Sequence, residues 1–393
     1  VKQTSVGSTV GCPDSLINDC MKKILKKLLT PAMRFKLGEF KNYFNAISSL
    51  ACLWRWELTK LPPKQGSRLS YYYLGRKDQR DMAKAILSID GYDFEQADWH
   101  KVLVSEFPIP GALKLPQYLS TVLPLRGRTL DELLSNFEKQ KRKFLRNHRA
   151  DYDYRQVLQD EEIRRLDMEM ITPFASARYG DGVVHLQSND VERMAKEAGK
   201  LHLVSCDNEE VACHLGCEFI RNGERYWRGV RAGYPEAVYS DNKRFREANL
   251  MNTYIEMEWA LGNGYDHYDV GISLANPEDG VIQWKRSLRG RLDTLGNYSY
   301  FYLRPPKSGV ARFYWDTPVF AVENGGLVLH LGMPDAIAEP DLIARYKQMS
   351  FDGLLKVYLH CQSQASENLA GQVRSLYSSH ENSPQVIVMQ VSN

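Results

Sequence analysis

Hydrophobic positions change period several times along the chain, and the changes predict its elements. Leu69-Ser70-Tyr71-Tyr72-Tyr73-Leu74 reads as a strand, Asp78 to Ile89 as a helix with Met82, Ala83, Ile86 and Leu87 on one face, and Lys101 to Phe107 as a second strand. Pro108, Pro110 and Gly111 then break the pattern. Thr129 and Glu132 stand at capping-box spacing ahead of a helix expected over Leu130–Arg149, with Leu130, Leu133, Leu134, Phe137, Phe144 and Leu145 on one face. Further helices are expected over Gln156–Met170 and Asn189–Ala198.

From Leu201 the period becomes 2. Strands are expected over Leu201–Cys206, Val211–Ile220 and Arg225–Val230, joined by the polar turns Asp207-Asn208-Glu209-Glu210 and Arg221-Asn222-Gly223-Glu224. A helix over Arg246–Leu261 follows, closed by Gly262-Asn263-Gly264. Then come a strand, His267–Ile272, a short helix, Val281–Leu288, and a strand, Tyr298–Leu303. Antiparallel strands followed by alternating helices and strands make a mixed α+β sheet.

This order resembles the GNAT-fold acyltransferases of the CelD type and the related FemABX peptidoglycan aminoacyl ligases. Four pieces carry the resemblance: Leu130–Arg149 with Lys141-Arg142-Lys143-Phe144-Leu145-Arg146; Val211-Ala212 after its polar turn; Leu250–Gly264 leading into Tyr268-Asp269-Val270-Gly271; and Gln283-Trp284-Lys285-Arg286. The resemblance implies an α+β GNAT fold with a mixed, partly antiparallel sheet, in a tandem GNAT-like pair. Residues 1–122 would form an N-terminal α/β domain, 123–304 the acyltransferase domain and 305–393 an α/β extension. The implied activity is N-acyl transfer from acyl-CoA to an amine of a sugar, amino acid or cell-envelope or polysaccharide precursor. The family's Gln/Arg-x-x-Gly-x-Gly/Ala phosphate loop is missing; Ser240–Asn249 stands in its place, which leaves a FemABX-like aminoacyl-tRNA donor as the alternative.

The resemblance also assigns residues. Gly229, Val230 and Arg231 would meet the acyl carbonyl where the sheet splays, and Lys243, Arg244, Arg246 and Asn249, at a helix entrance suited to anions, would hold phosphates; a solvated loop with ordinary surface pairs is the competing reading. Asp269 would orient the acceptor or a water, Lys285 would neutralise phosphate or an oxyanion, and Tyr254 would protonate a leaving thiolate; the competing readings are an Asp bonding a nearby backbone N–H, a solvent-facing lysine on an amphipathic helix and a core tyrosine. Arg142, Arg146 and Arg149, on a basic face beginning at Lys139, together with Tyr152 and Trp284, would bind a sugar-nucleotide or RNA; an exposed polar helix face is the competing reading. A non-catalytic module binding precursors through that face is a third function class.

Composition narrows these choices a little. With 51 basic and 48 acidic residues among 393, the net charge of +3 is too balanced for a dedicated nucleic-acid binder. Seven Cys are too few for a disulfide framework, and a cytoplasmic location is expected. Cys213 and Cys217 share a strand face while His214 points away, so they read as small core residues and no metal is expected. Between Lys22 and Leu37, Lys22, Lys23, Lys26 and Lys27 interrupt the apolar run; a signal peptide is not expected there, whereas a surface helix or peripheral membrane contact fits.

Overall fold

The computed structural model describes residues 56–61, 69–87, 100–179, 190–297, 299–335, 337–363, 367–377 and 383–391. The basic segment Lys22–Leu37 and the expected cap Asn189 lie outside these residues. The first segment runs β1 (Trp56–Leu61), β2 (Leu69–Arg76), α1 (Arg80–Ile86), β3 (His100–Ser105), β4 (Leu113–Pro116) and β5 (Tyr118–Pro124). The second opens with α2 (Leu130–Ser135), α3 (Lys139–His148), β6 (Tyr152–Val157), α4 (Asp160–Leu166), α5 (Thr172–Tyr179) and α6 (Asp190–Glu197). It continues through β7 (Gly199–Cys206), β8 (Glu209–Arg221), β9 (Glu224–Gly233), α7 (Glu236–Tyr239), α8 (Asn242–Gly262), β10 (His267–Leu274), α9 (Gly280–Arg286), β11 (Arg291–Asp293) and β12 (Tyr300–Arg304). The third holds α10 (Val310–Asp316), β13 (Val319–Glu323), β14 (Gly326–Met333), α11 (Glu339–Gln348), β15 (Leu354–Cys361), α12 (Glu367–Tyr377) and β16 (Gln385–Gln390).

The expected α+β class with mixed sheets is present, and its tandem character is explicit in the pairing. Sheet 1 has the order β1-β2-β3-β12-β4; sheet 2 has the order β6-β7-β8-β9-β10-β5-β11. Strands β1-β2-β3-β12-β4 pair antiparallel, parallel, antiparallel, antiparallel. Strands β8-β9-β10-β5-β11 repeat that order of senses. In each run a helix, α1 or α8, links the parallel pair. The fourth strand of each run comes from the other segment: β5, the last strand of the first, enters sheet 2, and β12, the last strand of the second, enters sheet 1. Sheets 1 and 2 therefore each draw strands from both sides of residue 122.

Sheet 3 has the order β13-β14-β15-β16, and its hairpin, α11 and parallel β15 repeat the start of the same pattern. Its apolar face packs Leu329 and Leu359 with Leu119 of β5, Ile282 of α9 and Leu292 of β11, so the third segment shares a core with sheet 2. Phe301 of β12, Phe313 and Tyr314 of α10 and Val328 of β14 join it to sheet 1.

Local chemistry explains where elements depart from the expected ones. The helix expected over Leu130–Arg149 is two helices. Thr129 and Glu132 make the capping box, but Ser135 Oγ donates to the Glu132 carbonyl and Asn136 ends the first helix. The expected helix from Gln156 starts at Asp160, because Tyr152–Val157 pairs with β7 instead. Asp241 starts α8 four residues earlier than expected: its side chain accepts from the N–H groups of Lys243 and Arg244. Both hairpins form as expected, with Asp207 and Asn208 at φ 50° and 66°, and Asn222 and Gly223 at 52° and 81°.

Candidate active site between β9 and β10

The parallel strands β9 and β10 stay together for only three pairs, His267 with Tyr226, Tyr268 with Trp227 and Asp269 with Arg228. Beyond them Gly229–Gly233 and Val270–Leu274 have no mutual pairing. Two irregularities part the strands. On β9 the register against β8 shifts between Leu215 and Gly216, leaving Val230 as the extra residue. On β10 the register against β5 shifts between Asp269 and Ile272. Each bulge bends its strand locally, and the β9–β10 pairing ends there.

Gly271, at φ +89°, lies in the second bulge. A Cβ there would stand 2.6 Å from the Gly229 carbonyl oxygen, so the strands touch at the mouth of the opening and tolerate no side chain. Asp269 fixes this kink. It is fully buried, one carboxylate oxygen accepting from Gly271 N–H at 2.9 Å and the other from Arg228 Nε at 2.6 Å. Arg228 also donates to Ser120 Oγ of β5 at 3.2 Å, which ties the three strands together. Asp269 is thus committed within the protein and acts as a positioning group.

Lys285 comes from α9, capped by Asp279, whose side chain accepts from the N–H groups of Val281 and Ile282. The lysine is 4% exposed and donates to the carbonyls of Gly271 at 2.6 Å and Ile272 at 3.2 Å. Burial pushes its pKa down to about 8, against the opposing pull of Asp269. Sequence placed Lys285 on an amphipathic helix; the structure brings it to the seam beside Asp269.

Other expected site residues lie elsewhere or are engaged. Tyr254 is core: burial, with the charge of nearby Glu258, pushes its hydroxyl up to about 12, and its charged surroundings are Glu258, Arg149, Asp131 and Arg146 rather than Lys285. At the start of α8, the Asp241 carboxylate occupies the first N–H groups, Lys243 is 85% exposed on its side chain, and Arg244 reaches Glu209 at 3.4 Å. Arg246 is exposed, and Asn249 Oδ1 accepts from Tyr234 OH at 2.8 Å. A carboxylate already sits where phosphate was expected.

The basic face of α3 is likewise partly neutralised. Arg149 donates to Glu258 at 2.8 Å and to the Tyr152 carbonyl at 2.7 Å, Arg146 meets Asp131 at 3.3 Å, and Arg142 donates to the Ser135 carbonyl. Burial raises the pKa of Tyr152. Trp284 and Arg286 line an open cleft of about 530 Å³ with Lys141, Gln283 and Met349, at the junction with α11.

Sequence reasoning missed a buried polar group on the α8 side of the same seam. Glu256 of α8, fully buried, accepts from Trp227 Nε1 at 2.8 Å and pairs with His202 Nδ1 at 2.7 Å. His214 and Tyr268 lie beside it. Cross-strand register makes His202 and His214 neighbours on one face of the sheet, and the 3.6 period carries Glu256 onto the same face as Asn252. The alternation around Cys213 held that signal: Cys213 packs with Leu203, Leu215 and Ile171 on the far face, so His214 had to point toward α8. Among the described residues no group of three or more His, Cys, Asp or Glu is arranged to hold a metal ion, and no helix is long and apolar enough to cross a membrane.

No family model and no curated protein matches the chain in sequence. Among solved structures it is similar to FemX, at 12% identity and TM-score 0.38 over 65% of this chain and 90% of that one. It is also similar to the L-PGS of Bacillus licheniformis, at 13% and 0.33 over 66% and 86%, and to a GCN5-related N-acetyltransferase-like protein from Streptococcus suis 89/1591, at 11% and 0.27 over 64% and 84%. Each overlap covers about two thirds of this chain.

Proposed function

We propose that the chain is a GNAT-type N-acyltransferase whose reaction takes place where β9 and β10 part. The observation that carries this is the loss of pairing after three residues, with a bulge on each strand. An activated acyl group held in that opening would have its carbonyl oxygen polarised by backbone N–H groups of Gly229, Val230 and Arg231. An amine attacks the carbon, and the leaving group departs with a proton. Lys285 has three N–H donors and commits two of them to Gly271 and Ile272. Its third is free to serve a developing negative charge on the carbonyl or leaving-group oxygen or sulfur.

In this reading residues 123–304 carry the catalytic segment, 1–122 a second GNAT-like unit and 305–393 a supporting one. The donor is acyl-CoA and the acceptor an amine of a sugar, amino acid or envelope precursor, as in CelD-type enzymes; a cytoplasmic location suits both. One observation favours a second donor. With Asp241 on the first N–H groups of α8, a pyrophosphate would meet a carboxylate, which supports an aminoacyl-tRNA donor anchored elsewhere, the exposed Lys139 and Lys143 of α3 being at hand.

A thermal-shift series with CoA, acetyl-CoA, a long-chain acyl-CoA and tRNA tests this. Stabilisation by the CoA compounds supports the first donor. Salt-sensitive stabilisation by tRNA alone supports the second. Silence with all of them on folded protein removes the transferase reading and leaves a precursor-binding module.

A further inference from the structure

We propose that His214 is the base that takes the proton from the attacking amine, and that Glu256 is the positioning residue that holds the imidazolium so formed. This rests on the transferase reading above and adds the residue that reading lacks. Four side-chain atoms around the α8 face of the seam are buried with no hydrogen-bond partner: Nδ1 and Nε2 of His214, Oδ1 of Asn252 and the hydroxyl of Tyr268. His214 is 6% exposed, Asn252 1% and Tyr268 fully buried. Buried polar atoms without partners each cost about 1–3 kcal/mol. A histidine lacking partners on both nitrogens is therefore suited to a polar ligand rather than to packing.

His214 stands at the mouth of the opening. A Cβ on Gly229, the first β9 residue past the last strand pair, would lie 2.8 Å from His214 Nε2. Gly229 in turn meets Gly271 across the seam, and Lys285 Nζ binds the Gly271 carbonyl. Hence a proton acceptor and a cation bracket the same backbone junction. Glu256 Oε2 is 3.9 Å from His214 Nε2, too far for a hydrogen bond at rest but close enough to stabilise positive charge on the ring.

The titratable groups facing His214 are Glu256 from α8 and His202 from β7. Burial holds the His214 pKa below its ordinary value, so the ring is neutral and ready to accept a proton. Burial alone would raise the Glu256 pKa, but the bonds from His202 and Trp227 oppose it, and the carboxylate lies below its usual value and stays charged. In the reaction the amine nitrogen bonds to the acyl carbon, and the bond from that carbon to the donor's sulfur or oxygen breaks. The proton lost by the amine passes to His214 and then to the departing thiolate or alkoxide, which restores the neutral ring.

The test uses the full chain, acetyl-CoA as donor and hydroxylamine as a small nucleophile, with acetohydroxamate as product. His214→Gln is expected to lower kcat about 100-fold with the acetyl-CoA KM unchanged. Glu256→Gln, which removes the facing negative charge, is expected to shift the acidic limb of the kcat profile to lower pH. An unchanged kcat in folded His214→Gln overturns the proposal while leaving the transferase reading intact. Should the wild-type protein form no acetohydroxamate, the acyl-CoA donor falls, and carbethoxylation of the wild-type chain by diethyl pyrocarbonate decides on His214 alone. Modification of His214 after exposed His148 but ahead of buried His330 shows a base reachable from the seam; a His214 as unreactive as His330 is sealed in the core, and the proposal fails.

Discussion

Sheets 1 and 2 contain the same run of strand senses, yet only one of them opens. In sheet 1, all six residues of β3 pair with β2, from His100 with Leu69 to Ser105 with Leu74. In sheet 2 the equivalent β10 pairs with β9 over three residues and then departs. The β14 and β15 seam of sheet 3 also stays paired, to Met333 with Cys361. Topology alone therefore does not make a site. The difference is local: two bulges, a glycine at φ +89°, a buried Asp269–Arg228 pair and a lysine that gives two β10 carbonyls a donor.

The largest effect that would break this contrast is loss of the buried pair. Asp269→Ala takes the buried carboxylate away from Arg228 Nε and Gly271 N–H, and is expected to cost about 3–5 kcal/mol in urea unfolding. A loss under 1 kcal/mol would show that the kink stands without it. Next comes Lys285. Its pKa of about 8 in the fold lies below the ordinary 10.5. The cost of burying its charge is fully present below pH 8, and it fades between pH 8 and 10.5 as the folded protein sheds a proton that the unfolded chain keeps. Stability from this group rises over that window by about 3 kcal/mol, and Lys285→Met should lack the rise. Parallel pH dependence in the two proteins would put the charge elsewhere. Because Lys285 Nζ also satisfies two carbonyls, Lys285→Ala is expected to lose fold stability along with turnover.

Gly271→Ala sharpens the contrast directly, since the methyl would strike the Gly229 carbonyl at a left-handed backbone angle. A cost of about 2 kcal/mol is expected, whereas Gly280→Ala, with open space around it, should cost little. The smallest effect is at Asp241, whose cap on α8 is worth about 1 kcal/mol. Asp241→Asn keeps most of that cap while removing the charge, so tighter CoA binding in this variant would mark the helix entrance as a phosphate site after all.

Much of sheet 2 was legible along the chain because its signals are local. The Asp207-Asn208 and Asn222-Gly223 turns fix two hairpins, and Thr129 with Glu132 fixes a helix start. Motif resemblance singled out Asp269 and Lys285 as candidates, and both lie at the seam, joined through Gly271. The exchange of β5 and β12 was not legible, since pairing partners more than a hundred residues away leave no local periodicity. Strand β6 hid because it is an edge strand with four exposed residues in a row and no buried alternation. Arg228 and Glu256 were missed because their importance comes from burial against distant strands; each looks like a surface charge in its own segment.

Residue-resolved amide hydrogen exchange on the full chain tests the central contrast most directly. The account predicts that amides of Val230–Ala232 and Val270–Ser273 directed into the seam exchange faster than those between β2 and β3, at Tyr71–Tyr73 and Val102–Val104. Equal, strong protection in both seams would mean that β9 and β10 are closed along their length, and the site proposed between them would not exist.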